Sequence, residues 1–452
     1  MKANYLFVMT STFFFIGIFT LLIFLDIDNL EGVYIESLNL FIIVFSCFVT
    51  YFSNVSKCWS ISFIYLICFI LFHCGIVISF FFSMVTDTIL FNYINSWYTQ
   101  DLASYAVHLT SLAIISYALG SFCGYLFFKR KVRLNETVES TQKIIKIQEL
   151  SKYAIYLLIT GFFLLIFTLG GSNSYAAYLT LKGRGEVSFI LSWFFVFLGY
   201  FFVIYSSSYY YSKEKLLAAY ILLWCLISFK LGLRGEVLFP LAVSICLISR
   251  TKPLFSKSQA IIFIIILLSS ITVVKNSRMD GDFNFDSVNP LNAVAEMGSS
   301  LRSVYETVKW HKIQGDDFIL GQSYWAPFER QIALFVPGIE RKPSIEDERL
   351  LNVLIQNRAG PYGYSPVAEA YRNFDQSGVI FLFFLLGCFV AYLDKIPSSF
   401  KNNIFIGIIL IPLFINIRNN FAPMPIQVGL GAIIMFAIYY YPRIQLLKIG
   451  KN

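Results

Sequence analysis

The chemistry open to this chain starts with its arginines. The polar stretch 276–377 carries Arg278, Arg302, Arg330, Arg341, Arg349, Arg358 and Arg372 among many Tyr, Trp and Phe. Two shorter segments repeat a tetrapeptide, Arg184-Gly185-Glu186-Val187 and Arg234-Gly235-Glu236-Val237, each directly ahead of an apolar run, and Arg418 sits beside Asn416, Asn419 and Asn420. Guanidinium groups stay charged and bind phosphate through paired hydrogen bonds, so a converging set of them, without a metal, is a natural holder of a diphosphate. Taken one at a time, each arginine is explained equally well by snorkelling or by an Arg–Glu clamp. Several at one outer cavity are harder to explain that way.

Patterns for metal binding are poor. Of the three histidines, His73 and His108 fall in apolar runs, where a packed or hydrogen-bonded ring is expected, and His311 lies in the polar stretch. Asp280, Asp282, Asn284 and Asp286 imitate the start of a calcium loop, but Phe285 replaces the needed glycine and Leu291 the closing glutamate. A solvated acidic turn is the expectation there. Asp26-Ile27-Asp28 resembles the acidic pair in the first outer loop of metal-dependent polyprenyl-phosphate-sugar glycosyltransferases, in a loop too short for the helices usual at that place.

The elements that must position these groups are membrane spans. With 57% hydrophobic and 14% charged residues and a mean hydropathy of +0.67, the 452-residue chain is no soluble globule, which carries about 25% charged residues. The fold class is an all-α polytopic membrane protein. Twelve transmembrane helices are expected, at about 4–25, 38–56, 60–85, 103–128, 153–170, 188–210, 215–231, 235–250, 259–275, 378–394, 402–418 and 424–441. Residues 1–275 thus hold nine spans, 276–377 form a large outer loop with amphipathic helices, and 378–452 hold the last three spans and the C-terminus.

Alternate short loops collect the cations, including Lys57, the cluster Lys129, Arg130, Lys131 and Arg133, then Lys213, Arg250, Lys252, Lys395 and Lys401. The first two opposite loops carry Asp26, Asp28, Glu31, Glu36, Asp87 and Asp101 and no cation. The positive-inside rule puts both termini in the cytoplasm and the large loop outside, since long loops cross regardless of charge. The net charge of +8 is spread over these loops with no basic block, which argues for orientation and against nucleic acid. The first apolar run is too long for a cleavable signal and is expected to stay as a span. None of the eight cysteines lies in the large loop, so that loop is expected to pack on the bundle without disulfides.

Local signals inside the loop are helical. Asn289-Pro290 followed by Val294, Leu301, Val304 and Val308 predicts a surface-lying amphipathic helix over 290–311. Ser344 with Asp347 forms a capping box ahead of a second helix at Leu350 to Leu354. Gly360 to Tyr364 reads as a turn, and Ser365-Pro366 starts a helix that runs into the tenth span, with Glu369 and Arg372 on one face.

Gly363-Tyr364-Ser365-Pro366-Val367-Ala368-Glu369-Ala370-Tyr371-Arg372-Asn373-Phe374, leading into a span, resembles the Wzy-type O-antigen polymerases. The large loop before the last three spans and Leu233-Arg234-Gly235-Glu236 at a span end are similar to that family too. The family usually has glycine after the Asn-Phe pair, where this chain has Asp375.

The resemblance implies a GT-C-like glycosyltransferase architecture in the bacterial inner membrane. It also implies a substrate, undecaprenyl-diphosphate-linked oligosaccharide repeat units on the periplasmic face, a metal-independent transfer with no cofactor, and a partner protein that sets chain length. The growing glycan would pass from its lipid diphosphate to a new lipid-linked unit. On this reading Arg234 and Arg278 hold the diphosphate, with Arg184, Arg358, Arg372 and Arg418 as further candidates. Glu369 is the preferred base for the acceptor hydroxyl, with Asp280 and Glu236 in reserve. Glu369 could instead serve the helix dipole or pair with Arg372. Tyr324, Trp325, Tyr362, Tyr364 and Tyr371 are candidates for stacking on sugars, or for a plain interfacial belt. An O-antigen ligase would share the donor and the loop, and a flippase the number of spans. A transporter would place its groups near the midplane, often within inverted repeats, and none is visible.

Overall fold

The computed structural model describes residues 2–24, 32–53, 57–82, 97–98, 101–128, 138–170, 185–208, 215–231, 233–251, 256, 258–259, 262, 264–266, 268–269, 290–333, 336, 338, 342–360 and 362–449. Among them there is no strand. The helices run α1 (Lys2–Phe24), α2 (Gly32–Ser53), α3 (Ile61–Phe81), α4 (Asp101–Phe127), α5 (Val138–Gly170), α6 (Gly185–Ser207), α7 (Lys215–Lys230) and α8 (Arg234–Ser249), followed by α9 (Pro290–Met297), α10 (Leu301–Lys312), α11 (Gln322–Ile332), α12 (Leu351–Arg358), α13 (Pro366–Lys395), α14 (Phe400–Asn416) and α15 (Met424–Ile449). Six of them, α1 to α5 and α13, are long and apolar enough to cross a membrane, and α6, α7, α8, α14 and α15 contribute shorter apolar segments. A helix satisfies its own backbone groups, which is why such sequences choose it where water is absent. The expected ninth span falls largely outside the described residues.

The chain divides into two compact units. The first comprises 1–130, 289–395 and 416–425, and the second 131–288, 396–415 and 426–452.

In the first unit α4 is buried along almost its whole length, and α13 packs closely against it. Gly120 and Gly124 of α4 and Gly387 of α13 make this possible. A Cβ on Gly120 would stand 2.0 Å from the Phe384 carbonyl oxygen, and one on Gly387 would stand 2.2 Å from that of Tyr117. Small residues four apart are the usual way for apolar helices to gain contact in lipid, where no hydrophobic effect drives them together. Asp394, near the end of α13, fixes the register against α3 by accepting from the Ile61 and Ser62 amides at 2.8 and 3.0 Å and from the Ser62 hydroxyl at 2.6 Å. A carboxylate at a helix N-terminus meets both free N–H groups and the positive end of the dipole.

The predicted helix over 290–311 exists, but it is bent by a 3-10 turn at Gly298–Ser300 and is not surface-lying. Leu301, Val304, Thr307, Val308 and Trp310 are all buried. Gly298 meets the backbone of Gly75 and Ile76 in α3 so closely that neither glycine has room for a side chain. The apolar stripe therefore packs on protein.

The second unit is centred on Ile159, Phe162, Leu198, Phe202, Trp224 and Val237, contributed by α5 to α8. Gly407 of α14 seats against Val203 and Leu247, and Arg250 donates to the Asn403 side chain at 3.0 Å.

Candidate active site

Ser365 begins the element that carries most of the site. Its hydroxyl oxygen accepts from the amides of Val367 and Ala368 at 3.1 and 3.4 Å, and bonds His73 Nε2 at 2.9 Å. Pro366 at the first helical position needs no hydrogen-bond partner for its nitrogen. From this start α13 presents Glu369, Arg372 and Asn373, all buried, before its backbone breaks at Phe374 (φ −143°, ψ 24°) and Asp375 (φ 57°, ψ −157°). Beyond the break the helix continues as the apolar span.

Asn373 ties the segment 319–323 to this helix. Its amide oxygen accepts from the Gly321 N–H at 2.8 Å, and its amide nitrogen donates to Ser323 Oγ at 2.8 Å and to the Glu369 carbonyl at 2.7 Å. Ile319 and Leu320 donate to the carbonyls of Arg372 and Asn373, both at 3.1 Å. Gly321, at φ 88°, turns the chain into α11.

Glu369 is 1% exposed. Each of its oxygens takes one donor at 2.7 Å, Oε1 from the Ser323 hydroxyl and Oε2 from the Phe421 amide. No Lys or Arg bridges it among the described residues. The Glu369–Arg372 pairing weighed from the sequence is therefore not made, because Arg372 goes to Asp316.

That aspartate organises the arginines. Arg358 from the end of α12 and Arg372 from α13 both donate Nη1 to Asp316 Oδ2, at 2.5 and 3.1 Å, and both guanidiniums lie over the Trp310 ring, 5.3 and 5.6 Å from its centre. Two cations on one carboxylate leave one net positive charge. Arg372 Nε is buried with no partner among the described residues, and Arg358 is one-third exposed. Burial alone would raise the Asp316 carboxyl, but the hydrogen bonds and charges of Arg358 and Arg372 outweigh it and hold the group below the usual carboxylate range. His311 completes the cluster. Its Nδ1 bonds the Asp316 carbonyl at 2.6 Å, its ring stacks on Phe318 at 4.5 Å, and Nε2 is buried without a partner among the described residues. Burial is the main reason that its pKa lies below the ordinary imidazole value, so the neutral ring donates Nδ1–H to the carbonyl and leaves Nε2 as a lone-pair acceptor.

The other predicted residues are placed differently. Arg418 lies with its guanidinium 5.4 Å from the centre of the Phe72 ring, close enough to His73 to act on it. Arg234 opens α8 in the second unit, with the side chains of Arg234 and Glu236 outside the described residues. Arg184, Arg278 and Asp280 lie outside them altogether. Tyr364 and Tyr371 offer no face to a sugar. Tyr364 is fully buried, its hydroxyl bonded to Thr307 at 2.8 Å, and Tyr371 is packed among His311, Phe318 and Tyr105. Tyr362 lies under the Arg302 guanidinium at 4.3 Å, Tyr324 packs edge-on to Phe421, and Trp325 is 60% exposed. Asp347 does not cap α12. It is spent on Arg330 and Arg349, which also engage Ser344 and Glu329.

The O-antigen polysaccharide polymerase Wzy family matches residues 5–447, on both sides of the segment that carries this cluster. The chain belongs to that family. The Wzy match embraces the apolar helices and the polar stretch 276–377 alike, so the cluster around α13 lies within the matched region. The chain is also similar to Protein CapE of Staphylococcus aureus, 24% identical over 196 residues that cover 43% of this chain and 43% of that one. No solved structure matches.

Proposed function

We propose that this Wzy-family protein elongates a glycan by transferring it from undecaprenyl diphosphate onto a new undecaprenyl-diphosphate-linked repeat unit. The reaction takes place at the periplasmic face of the bacterial inner membrane, with both termini cytoplasmic and the 276–377 loop outside. The full chain spans the membrane twelve times in a GT-C-like arrangement, and a separate protein sets chain length. Convergence of Arg358 and Arg372 on Asp316 carries this reading, because it leaves a net positive charge and spare N–H donors three residues beyond a buried carboxylate.

Bond making and breaking balance without a metal or cofactor. A hydroxyl of the acceptor sugar attacks the anomeric carbon of the donor glycan, the bond from that carbon to the diphosphate oxygen breaks, and the lipid diphosphate leaves with the bonding pair. Arg358 and Arg372 stabilise the charge on the leaving group, with Arg418, Arg234, Arg278 and Arg184 as further holders. Glu369 takes the hydroxyl proton, with Asp280 and Glu236 in reserve, and Trp325, Tyr324 and Tyr362 supply aromatic surface.

Deleting the gene and reading the cell-surface glycan tests the activity. Loss of polymerisation leaves single repeat units on the lipid A core, restored to a ladder by the wild-type gene. A core with no repeat unit at all would instead mean a ligase, and an unchanged ladder would remove both readings.

A further inference from the structure

Among the described residues only two that are not glycine have positive φ, Leu320 at 46° and Asp375 at 57°. They lie at one spot. Leu320 follows Ile319 in the segment that hydrogen-bonds the Arg372 and Asn373 carbonyls, and Asp375 comes two residues after Asn373. Phe374 stands between them, its ring 3.1 Å from where a Cβ on Gly321 would be.

Asp375 is the more strained of the two. Its ψ of −157° takes it out of the left-handed helical region, which Asp visits, into a region that only glycine enters freely. A helix kink is satisfied there by glycine at no steric cost. The aspartate must therefore supply something through its side chain. Asp375 is exposed and acts electrostatically on His311 and Tyr371; Phe374 is its chain neighbour, Phe318 packs on both His311 and Tyr371, and the two phenylalanines are more than one-third exposed. An ionised carboxylate only accepts hydrogen bonds, and a sugar offers hydroxyl donors on its rim and C–H groups on its faces. An exposed aspartate and two exposed rings, next to the arginine cluster, are matched to that pattern.

We propose that Asp375 is a recognition residue for the incoming repeat unit, its carboxylate accepting from acceptor-sugar hydroxyls while the exposed rings of Phe318 and Phe374 pack on the sugar face. This rests on the polymerase reading and adds to it a residue that sets acceptor binding.

The test compares wild type, Asp375→Gly and Asp375→Asn as purified full-length protein. Thermal melting is measured first, then polymerisation with preformed lipid-linked polymer as donor and a lipid-linked single unit as acceptor. Asp375→Gly is expected to melt at or above the wild-type temperature while the KM for the acceptor rises about 10- to 100-fold and kcat changes little. Asp375→Asn, which keeps the strained backbone and loses the charge, should fall between. A wild-type KM in either variant, or Asp375→Gly melting below wild type, overturns the proposal. Failure of the polymerase reading is distinct, because wild type itself would then give no product.

Discussion

Arg372 and Glu369, three residues apart on one helix, are asked to do opposite things, and their surroundings differ accordingly. Arg372 meets an aspartate, a second arginine and a tryptophan face, whereas among the described residues Glu369 accepts from two neutral donors. Removing one preorganised donor from a developing anion lowers rate by about 10²–10³. Arg372→Ala should lose that much polymerising activity, and Arg372→Lys should not recover it, because an ammonium cannot reproduce the planar fork. Glycan ladders normalised to membrane abundance would check both. Glu369→Gln removes the proposed proton acceptor and should abolish transfer in a protein that still reaches the membrane. His311 makes one contribution to the pH response. Its folded pKa lies below the unfolded 6.5, so its contribution to stability is complete above that value and is lost as pH falls through the folded pKa. Asp316 is also depressed, from 3.8, so its contribution persists until far lower pH. Relative to His311→Phe, the wild type should thus lose melting temperature as pH falls below 6.5. An equal fall in both proteins would assign it elsewhere. At this scale the sequence named Glu369 as a candidate base and Arg358 and Arg372 among the further candidates for the diphosphate, and the structure describes where all three lie. It did not point to Asp316, whose role depends on α12 and α13 arriving together. The one departure from the resembled family pattern, Asp375, falls where the backbone turns to positive φ.

Helices were legible wherever their signals were local. Ser365-Pro366 does start α13, and the apolar runs that lie among the described residues do form helices. Helix α11 left no such signal, since it begins at a glycine with no side-chain cap and holds Pro327 inside. The capping box at Ser344 misled because a Ser and an Asp three apart serve a buried arginine equally well. Asp347 is 2% exposed and Arg330 8% exposed at their side chains, so Asp347→Ala would strand a buried guanidinium at a cost of about 3–5 kcal/mol. Chemical denaturation of the purified protein, or protease sensitivity of the large loop, should report that loss. The α4–α13 seam makes a sharper demand. Gly120→Val would drive a side chain into the Phe384 carbonyl, and the variant should be depleted from membranes even though its hydropathy is higher. Normal abundance would show that the two helices can part without penalty.

For the whole molecule, composition alone excluded a soluble enzyme, and the family match from 5 to 447 extends over both compact units. Which arginines share a site was not readable, because a repeated Arg-Gly-Glu-Val says where a span begins and nothing about where it points. The described residues bring together Arg358 and Arg372, around a carboxylate absent from every sequence pattern considered. The central claim is that this cluster grips the lipid diphosphate as the glycan departs. It is tested most directly by reconstituting purified protein in liposomes with a synthetic undecaprenyl-diphosphate-linked repeat unit and counting lipid diphosphate released per glycosidic bond formed, for wild type and Arg372→Ala. The account predicts one released per bond for wild type and a release rate about 10²–10³ lower for the variant. Glycan growth without release, or equal rates in the two proteins, would contradict it.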